Sequence, residues 1–157
     1  QGNRVQAGVF GYPATSRAVK LGNRVLLHIP TLNIPYASTG VSTRGDLIRD
    51  DPDLVRRYLA AQVEAIALMK KDRNFTIKIL SKYLRTQDMD LLNESYDVQI
   101  AQYMMKVPLT TAEGVRSILE ELSDRNPKAK DLDPHKFFDD RFIRQLQAGD
   151  FIEALYR

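Results

Sequence analysis

Two patterns of apolar residues follow one another along the chain. In the first 45 residues, short apolar runs are separated by glycine and proline, and three of them predict strands: Val5–Phe10, Arg24–Ile29 and Ala37–Thr43. Between the first two runs, Pro13 is suited to open a short helix and Gly22 to end it. This part of the chain therefore looks rich in β structure.

From residue 46 onward the apolar spacing is almost wholly helical. Asp51 followed by Pro52 is a strong helix start, and apolar residues at helical spacing continue to Lys70-Lys71. A second set of residues widens the apolar stripe along this helix: Leu54, Tyr58, Ala61, Ala65 and Leu68. We therefore expect this helix to be central and buried on much of its circumference.

Further helices are predicted in the rest of the chain. One helix would start at Asn74, and the next at Asp88 or Asp90. The capping-box pattern Thr110-Thr111-Ala112-Glu113 would open another, and the last two would cover Phe137–Leu146 and Asp150–Tyr156. The fold class predicted from these patterns is α/β, with three short N-terminal strands followed by a largely helical C-terminal part.

Length and composition restrict the classes of function. The 157 residues fit one domain or a piece of a larger protein, and there is no cysteine to form a disulfide, a thiolate metal site or a thiol nucleophile. No apolar run approaches the ~20 residues that cross a bilayer. The strand pattern begins by Val5 without a preceding methionine, so we expect sequence upstream of Gln1, where a signal peptide would lie.

Charge is unevenly distributed. Residues 1–45 contain five basic residues and no acidic one, whereas the remaining 112 contain 18 basic and 20 acidic residues. The positive first part would favour anionic ligands, but scattered surface charge is the better explanation. The basic residues are not clustered and match no binding motif, so we expect no nucleic-acid partner.

Residues that carry chemistry are sparse. His28 and His135, the only histidines, lack neighbours at metal-ligand spacing, so no metal site is predicted. Asp139-Asp140 is better explained as a helix cap than as an acid pair. The chain contains no nucleophile elbow, phosphate loop or dinucleotide fingerprint. We therefore predict no catalytic residue, no cofactor and no enzymatic activity.

An ordered series of segments resembles a known family. Residues 2–22, GNRVQAGVFGYPATSRAVKLG, resemble the solute-binding proteins of ABC importers, of the nitrate/sulfonate/taurine type that is related to thiamine-precursor-binding proteins. Gln6 departs from the pattern, because the family usually has Asp there. The likeness continues in residues 34–72, 107–122 and 132–146, and so covers nearly the whole chain.

This resemblance implies a partial type II periplasmic-binding-protein-like fold. Members of the family have two α/β lobes and about twice this length. Residues 1–45 would be the end of the second lobe and a crossing strand, and residues 46–157 the helical closing part of the first lobe. The chain would then be a fragment of a two-lobe protein, with exposed apolar surface that pairs with itself or with the missing N-terminal half.

The resemblance also implies a function. A small solute, with anions among the candidates, would bind in the interlobe cleft of a periplasmic or extracytoplasmic protein and pass to a membrane permease. Strand ends and helix N-termini face such clefts, which predicts six ligand-binding residues: Gly11, Tyr12 and Pro13 at the rim, Ser16 just inside the helix start, and Tyr36 and Ser38 near the hinge. Of the six, Tyr12 is the strongest candidate for a ligand contact, because it would supply an aromatic wall with a hydroxyl. The alternative is that Tyr12 merely covers the end of the strand.

Three alternatives stay open. The first is a ligand-sensing domain of the same fold in a regulator or kinase. The second is a thiamine-pyrimidine-synthase-like enzyme, although the lack of cysteine argues against its chemistry. The third is an unrelated helical interaction module, which the β-like first 45 residues disfavour.

Overall fold

A computed structural model of the chain describes residues 5–157, of which 63% are helical. The α-helices are α1 (Ala14–Lys20), α2 (Gly45–Asp50), α3 (Pro52–Lys71), α4 (Arg73–Leu84), α5 (Met89–Ser95), α6 (Ala112–Ser123), α7 (Arg141–Ala148) and α8 (Phe151–Ala154). A π-helical segment, Tyr96–Tyr103, continues α5. Short 3₁₀ helices occupy Ile29–Leu32, Pro127–Asp131 and Pro134–Lys136.

The predicted α/β fold class, with three N-terminal strands, is wrong. None of Val5–Phe10, Arg24–Ile29 and Ala37–Thr43 forms a strand, and the described residues contain no sheet. An alternating pattern makes a segment fit a pleated surface, but a strand forms only when neighbouring backbone completes its hydrogen bonds. No segment within residues 5–157 supplies that backbone, so the side chains of Val9 and Leu26 are 84% and 76% exposed.

Helix starts follow local chemistry closely. α3 begins at Pro52, as predicted, and the Asp51 carboxylate accepts a hydrogen bond from the Leu54 N–H at 3.0 Å. Of the two predicted starts of α5, Asp88 or Asp90, the structure has Asp88, whose carboxylate accepts from the Leu91 N–H at 3.1 Å. α4 is capped by Asp72 rather than by Asn74. Each observed cap satisfies an amide that the helix itself leaves without a partner.

The capping box predicted at Thr110–Glu113 is wrong in register. Thr111 is the cap, and its hydroxyl accepts from the Gly114 N–H at 3.1 Å. The third helical position is therefore Gly114, where a capping box requires Glu or Gln. The cap predicted before α7 from Asp139-Asp140 is observed only in part: Asp140 occupies the N-cap position without a side-chain hydrogen bond to the helix amides, and Asp139 accepts from the Arg141 N–H at 3.2 Å.

The chain divides into two compact units. Unit 1 comprises residues 5–28 and Leu68–Met104, and unit 2 comprises Ile29–Ala67 and Met105–Arg157. The core of unit 1 is formed by Ile77, Leu92, Tyr96 and Ile100. Unit 2 has two clusters, one of Val63, Ile143, Leu146 and Ile152, and another of Val115, Leu119 and Ala129. The domain boundary predicted at residue 45 stays a prediction.

The expectation that α3 is buried on much of its circumference is wrong. Only Val63 and Ala67 of this helix are buried, at 0% and 3% exposure. The second set of apolar residues is exposed: Leu54, Tyr58, Ala61, Ala65 and Leu68. One stripe of α3 therefore packs into a core, and a second apolar stripe is open to solvent. Among the helices of residues 5–157, none combines the length and hydropathy of a membrane span.

Candidate ligand-binding site

Four of the six predicted ligand-binding residues lie on one turn of unit 1, residues 11–16, which we call the Tyr12 turn. The turn leads into α1: the Thr15 N–H donates to the Gly11 carbonyl at 3.1 Å, and the Arg17 N–H donates to the Pro13 carbonyl at 3.2 Å. Pro13 has no N–H that would need a partner at this position. The Thr15 hydroxyl donates to the Phe10 carbonyl at 3.1 Å and ties the turn to the preceding extended segment.

Gly22 terminates α1 through its backbone conformation. This glycine has a φ of +87°, a left-handed conformation that residues with a side chain rarely adopt. Its N–H donates to the Val19 carbonyl at 2.9 Å, and the Asn23 N–H donates to the Ala18 carbonyl at 3.1 Å. These two bonds form a Schellman motif, so the prediction that Gly22 ends the helix is confirmed.

Tyr12 is half-buried in the Tyr12 turn. Burial raises the pKa of its phenol above the ordinary value, and electrostatic interactions with Glu94 and Tyr103 raise it further. The hydroxyl is therefore neutral at physiological pH and able to donate a hydrogen bond. This state suits the predicted role of an aromatic wall with a hydroxyl.

Ser16 has the most unusual environment of the six residues. It is only 4% exposed, and its Oγ has no hydrogen-bond partner in the part of the chain that the structure describes. Buried hydroxyls are nearly always hydrogen-bonded, and leaving one unsatisfied costs ~1–3 kcal/mol. Ser16 therefore retains an unused donor and unused acceptor capacity next to Tyr12 and Pro13. Gly11, at the start of the same turn, is exposed.

The other two predicted residues, Tyr36 and Ser38, belong to unit 2 and are exposed. The Tyr36 hydroxyl donates to Glu121 Oε2 at 2.8 Å, and this hydrogen bond is the main cause that raises the pKa of Tyr36. Between them, the Ala37 N–H donates to the Gly114 carbonyl at 3.2 Å. These contacts fasten the segment to α6, which is an anchoring role that the sequence did not predict.

Unit 2 also contains two open grooves that none of the six predicted residues lines. One, of about 480 Å³, is bordered by Thr111, Glu113, His135, Phe138 and Arg144, among others. The other, of about 310 Å³, lies along the first turn of α3 and α7. Sequence reasoning missed both grooves, because their walls come from segments far apart in the chain.

Three polar side chains in the larger groove, those of Arg144, Asp140 and Thr111, are already engaged. Arg144 Nε donates to Asp140 Oδ2 at 2.6 Å, and the Thr111 hydroxyl caps α6. His135 lies 5.6 Å from Phe138 between ring centroids. Within residues 5–157, no group of three or more His, Asp or Glu side chains is arranged to hold a metal ion. The Tyr12 turn is therefore the better candidate, because it combines a neutral phenol with the buried Ser16 hydroxyl, which lacks a partner. Within residues 5–157 the Tyr156 hydroxyl is also buried without a partner, but Tyr156 belongs to unit 2 and lines neither of its grooves.

Comparisons of the chain with protein-family profiles, with curated proteins and with solved structures find no significant match.

Proposed function

We propose that the protein is the solute-binding component of an ABC importer, and that it binds a small solute at the Tyr12 turn for delivery to a membrane permease. Two things support this proposal. The ordered likeness of residues 2–22, 34–72, 107–122 and 132–146 to the nitrate/sulfonate/taurine type indicates the class of protein. The structural observation that supports the choice of this site is the buried hydroxyl of Ser16, which has no partner in the described part of the chain.

The chemistry of the turn favours a polar or anionic solute. Tyr12 and Ser16 each offer a neutral hydroxyl donor, and an anion or a polar oxygen is the acceptor that such donors require. Arg17, exposed on the same helix, adds a positive charge that attracts anions. A sulfonate, nitrate or carboxylate group fits this combination.

Access to Ser16 requires a local opening of α1. The helix has seven residues, and most of them are exposed. A short element with few buried residues opens at a low free-energy cost, and ligand-binding segments are typically of this kind. Solute binding would then order the turn and give the Ser16 hydroxyl its missing partner.

The direct test is thermal unfolding of the full chain in the presence of nitrate, an alkyl sulfonate, a thiamine pyrimidine or an aromatic carboxylic acid. A ligand present at 100 times its dissociation constant stabilises by about 2.7 kcal/mol. For a chain of this length, we expect that stabilisation to raise the Tm by roughly 5–10 °C. If no class of solute raised the Tm, the proposed function would be wrong.

Two substitutions locate the site. Ser16→Ala and Tyr12→Phe should both weaken the ligand-induced shift, whereas Tyr83→Phe, which removes the hydroxyl of a tyrosine that is 75% exposed in the same unit, should leave it unchanged. Ser16→Ala removes a buried group without a partner, so it should not destabilise the ligand-free protein. A ligand-induced shift that survived both substitutions would place the site elsewhere.

A further inference from the structure

The solvent-facing stripe of α3 has a regular spacing. Leu54, Tyr58, Ala61 and Ala65 follow one another at intervals of four, three and four residues, and all are exposed, Leu54 by 42% and Tyr58 by 52%. We call these four residues the Tyr58 face. They lie within unit 2, and the buried Val63 on another side of the same helix packs into a core cluster of that unit. The spacing of the Tyr58 face is that of a helix seam that meets a second helix.

The size of its side chains makes the Tyr58 face complementary to itself. In one antiparallel register, Leu54 faces Ala65 of a second copy and Tyr58 faces Ala61 of that copy. Two-fold symmetry repeats both pairs, so each of the four layers places a large side chain against a small one, which fills the space between the helices. A parallel pair would instead place Tyr58 against Tyr58 and Ala61 against Ala61, with crowding in one layer and a gap in another.

The flanking charges agree with the same register. Beside the apolar layers, Arg57 of one helix faces Glu64 of the other, and symmetry produces this pair twice. The Arg57 side chain is 63% exposed, and its Nε lies 3.1 Å from Asp53 Oδ2 of its own helix. A guanidinium has five N–H donors, so it can contact a second carboxylate. Glu64 is exposed and forms no ion pair with another residue of the described range, so it is available to meet Arg57 of the second copy.

We propose that the Tyr58 face binds a second copy of this chain as an antiparallel helix pair. The complementarity of size and of charge is the reason to choose a second copy over a different partner. The paired span, residues 54–65, is about 17 Å long at 1.5 Å per residue. One helix pair of that length buries less than the ~1,600 Å² of a standard stable interface, so the dimer is weak and depends on protein concentration. Added salt weakens it further, because the Arg57–Glu64 pairs are exposed.

The test is a measurement of mass by light scattering and sedimentation over a wide range of protein concentrations. The wild-type mass should rise toward that of a dimer. Arg57→Glu places two carboxylates opposite each other, and Glu64→Arg places two guanidiniums opposite each other. Each single variant should raise the dissociation constant about tenfold, and the double variant Arg57→Glu/Glu64→Arg should restore association by exchanging the signs of the pair.

A matched control is available on α6. Glu120→Arg makes the same change of charge as Glu64→Arg at an exposed position away from the Tyr58 face, and it should leave association unchanged. Circular dichroism of every variant checks that the helices are intact. A wild-type chain that stayed monomeric at all concentrations would overturn the proposal. Dimers that persisted in both single variants, or folded single variants that the double variant failed to rescue, would also overturn it.

Discussion

Gly114 lies where α6 meets the segment that carries Tyr36. A Cβ added at Gly114 would lie 3.1 Å from the Ala37 nitrogen, 3.2 Å from the Thr111 Oγ1 and 3.3 Å from the Tyr36 carbonyl carbon. Two of these three atoms belong to the backbone, which moves less easily than the end of a flexible side chain. Gly114→Ala should therefore push the Tyr36 segment away from α6 or displace the cap of that helix.

The expected cost follows from two opposing effects. Forcing an extra carbon into a close-packed position typically costs about 1–3 kcal/mol. Replacing glycine by alanine inside a helix recovers up to about 1 kcal/mol through helix propensity. With the full propensity gain subtracted, we expect a net loss of roughly 0–2 kcal/mol in the free energy of unfolding, or up to about 8 °C in Tm for a chain of this length.

Thermal and urea unfolding measure this difference, and Gly45→Ala is the matched control. Gly45 also lies in the first turn of a helix, but a Cβ there would meet nothing within 4 Å, so the substitution should be neutral or slightly stabilising. Hydrogen exchange adds a local readout, because the Ala37 N–H donates to the Gly114 carbonyl at 3.2 Å. That amide should exchange faster in Gly114→Ala. A Gly114→Ala protein as stable as the wild type, with unchanged exchange at Ala37, would refute the reasoning.

Two further predictions concern the core and the charges of unit 1. Leu92 is fully buried in its core, so Leu92→Ala should lower the free energy of unfolding by about 2–5 kcal/mol in urea titrations, whereas Leu21→Ala, at a residue 71% exposed, should change it little. The hydrogen bond from Arg73 lowers the pKa of Asp97, so this pair stabilises the fold above the unfolded pKa of about 3.9 and loses that effect as the pH falls through the folded value. Asp97→Asn should therefore have a lower free energy of unfolding than the wild type at neutral pH, and the difference should vanish in acid when unfolding is measured across the pH range. A difference that stayed constant as the pH fell below the folded pKa would contradict this role of the Arg73–Asp97 pair.

Helix boundaries were the part of the fold most accessible from sequence. Asp51-Pro52, Asp88 and Gly22 each mark a helix end through contacts with amides and carbonyls only a few residues away. Such contacts depend on local backbone geometry, and a sequence window contains all the atoms that make them. The same local chemistry placed Gly11, Tyr12 and Pro13 just before α1 and Ser16 in its first turn.

The strands predicted in the first 45 residues failed for the opposite reason. An alternating apolar run indicates that a segment would suit a sheet, but its hydrogen-bond partners must come from elsewhere in space. The prediction that α3 is buried on much of its circumference failed for the same reason. Apolar residues on a helix do not specify how many neighbouring elements will cover them. In both cases the side chains are exposed where burial was expected.

By itself, the sequence determined where α1 ends, where α3 and α5 begin and which residues form the Tyr12 turn, because capping and turn formation are local. Only the tertiary structure decided that the Ser16 hydroxyl is buried without a partner in the described range and that the Tyr36 hydroxyl donates to Glu121, 85 residues away. It also decided that the Tyr58 face of α3 is open to solvent. Burial and long-range hydrogen bonds depend on which distant segments meet, and no pattern along the chain specifies that meeting.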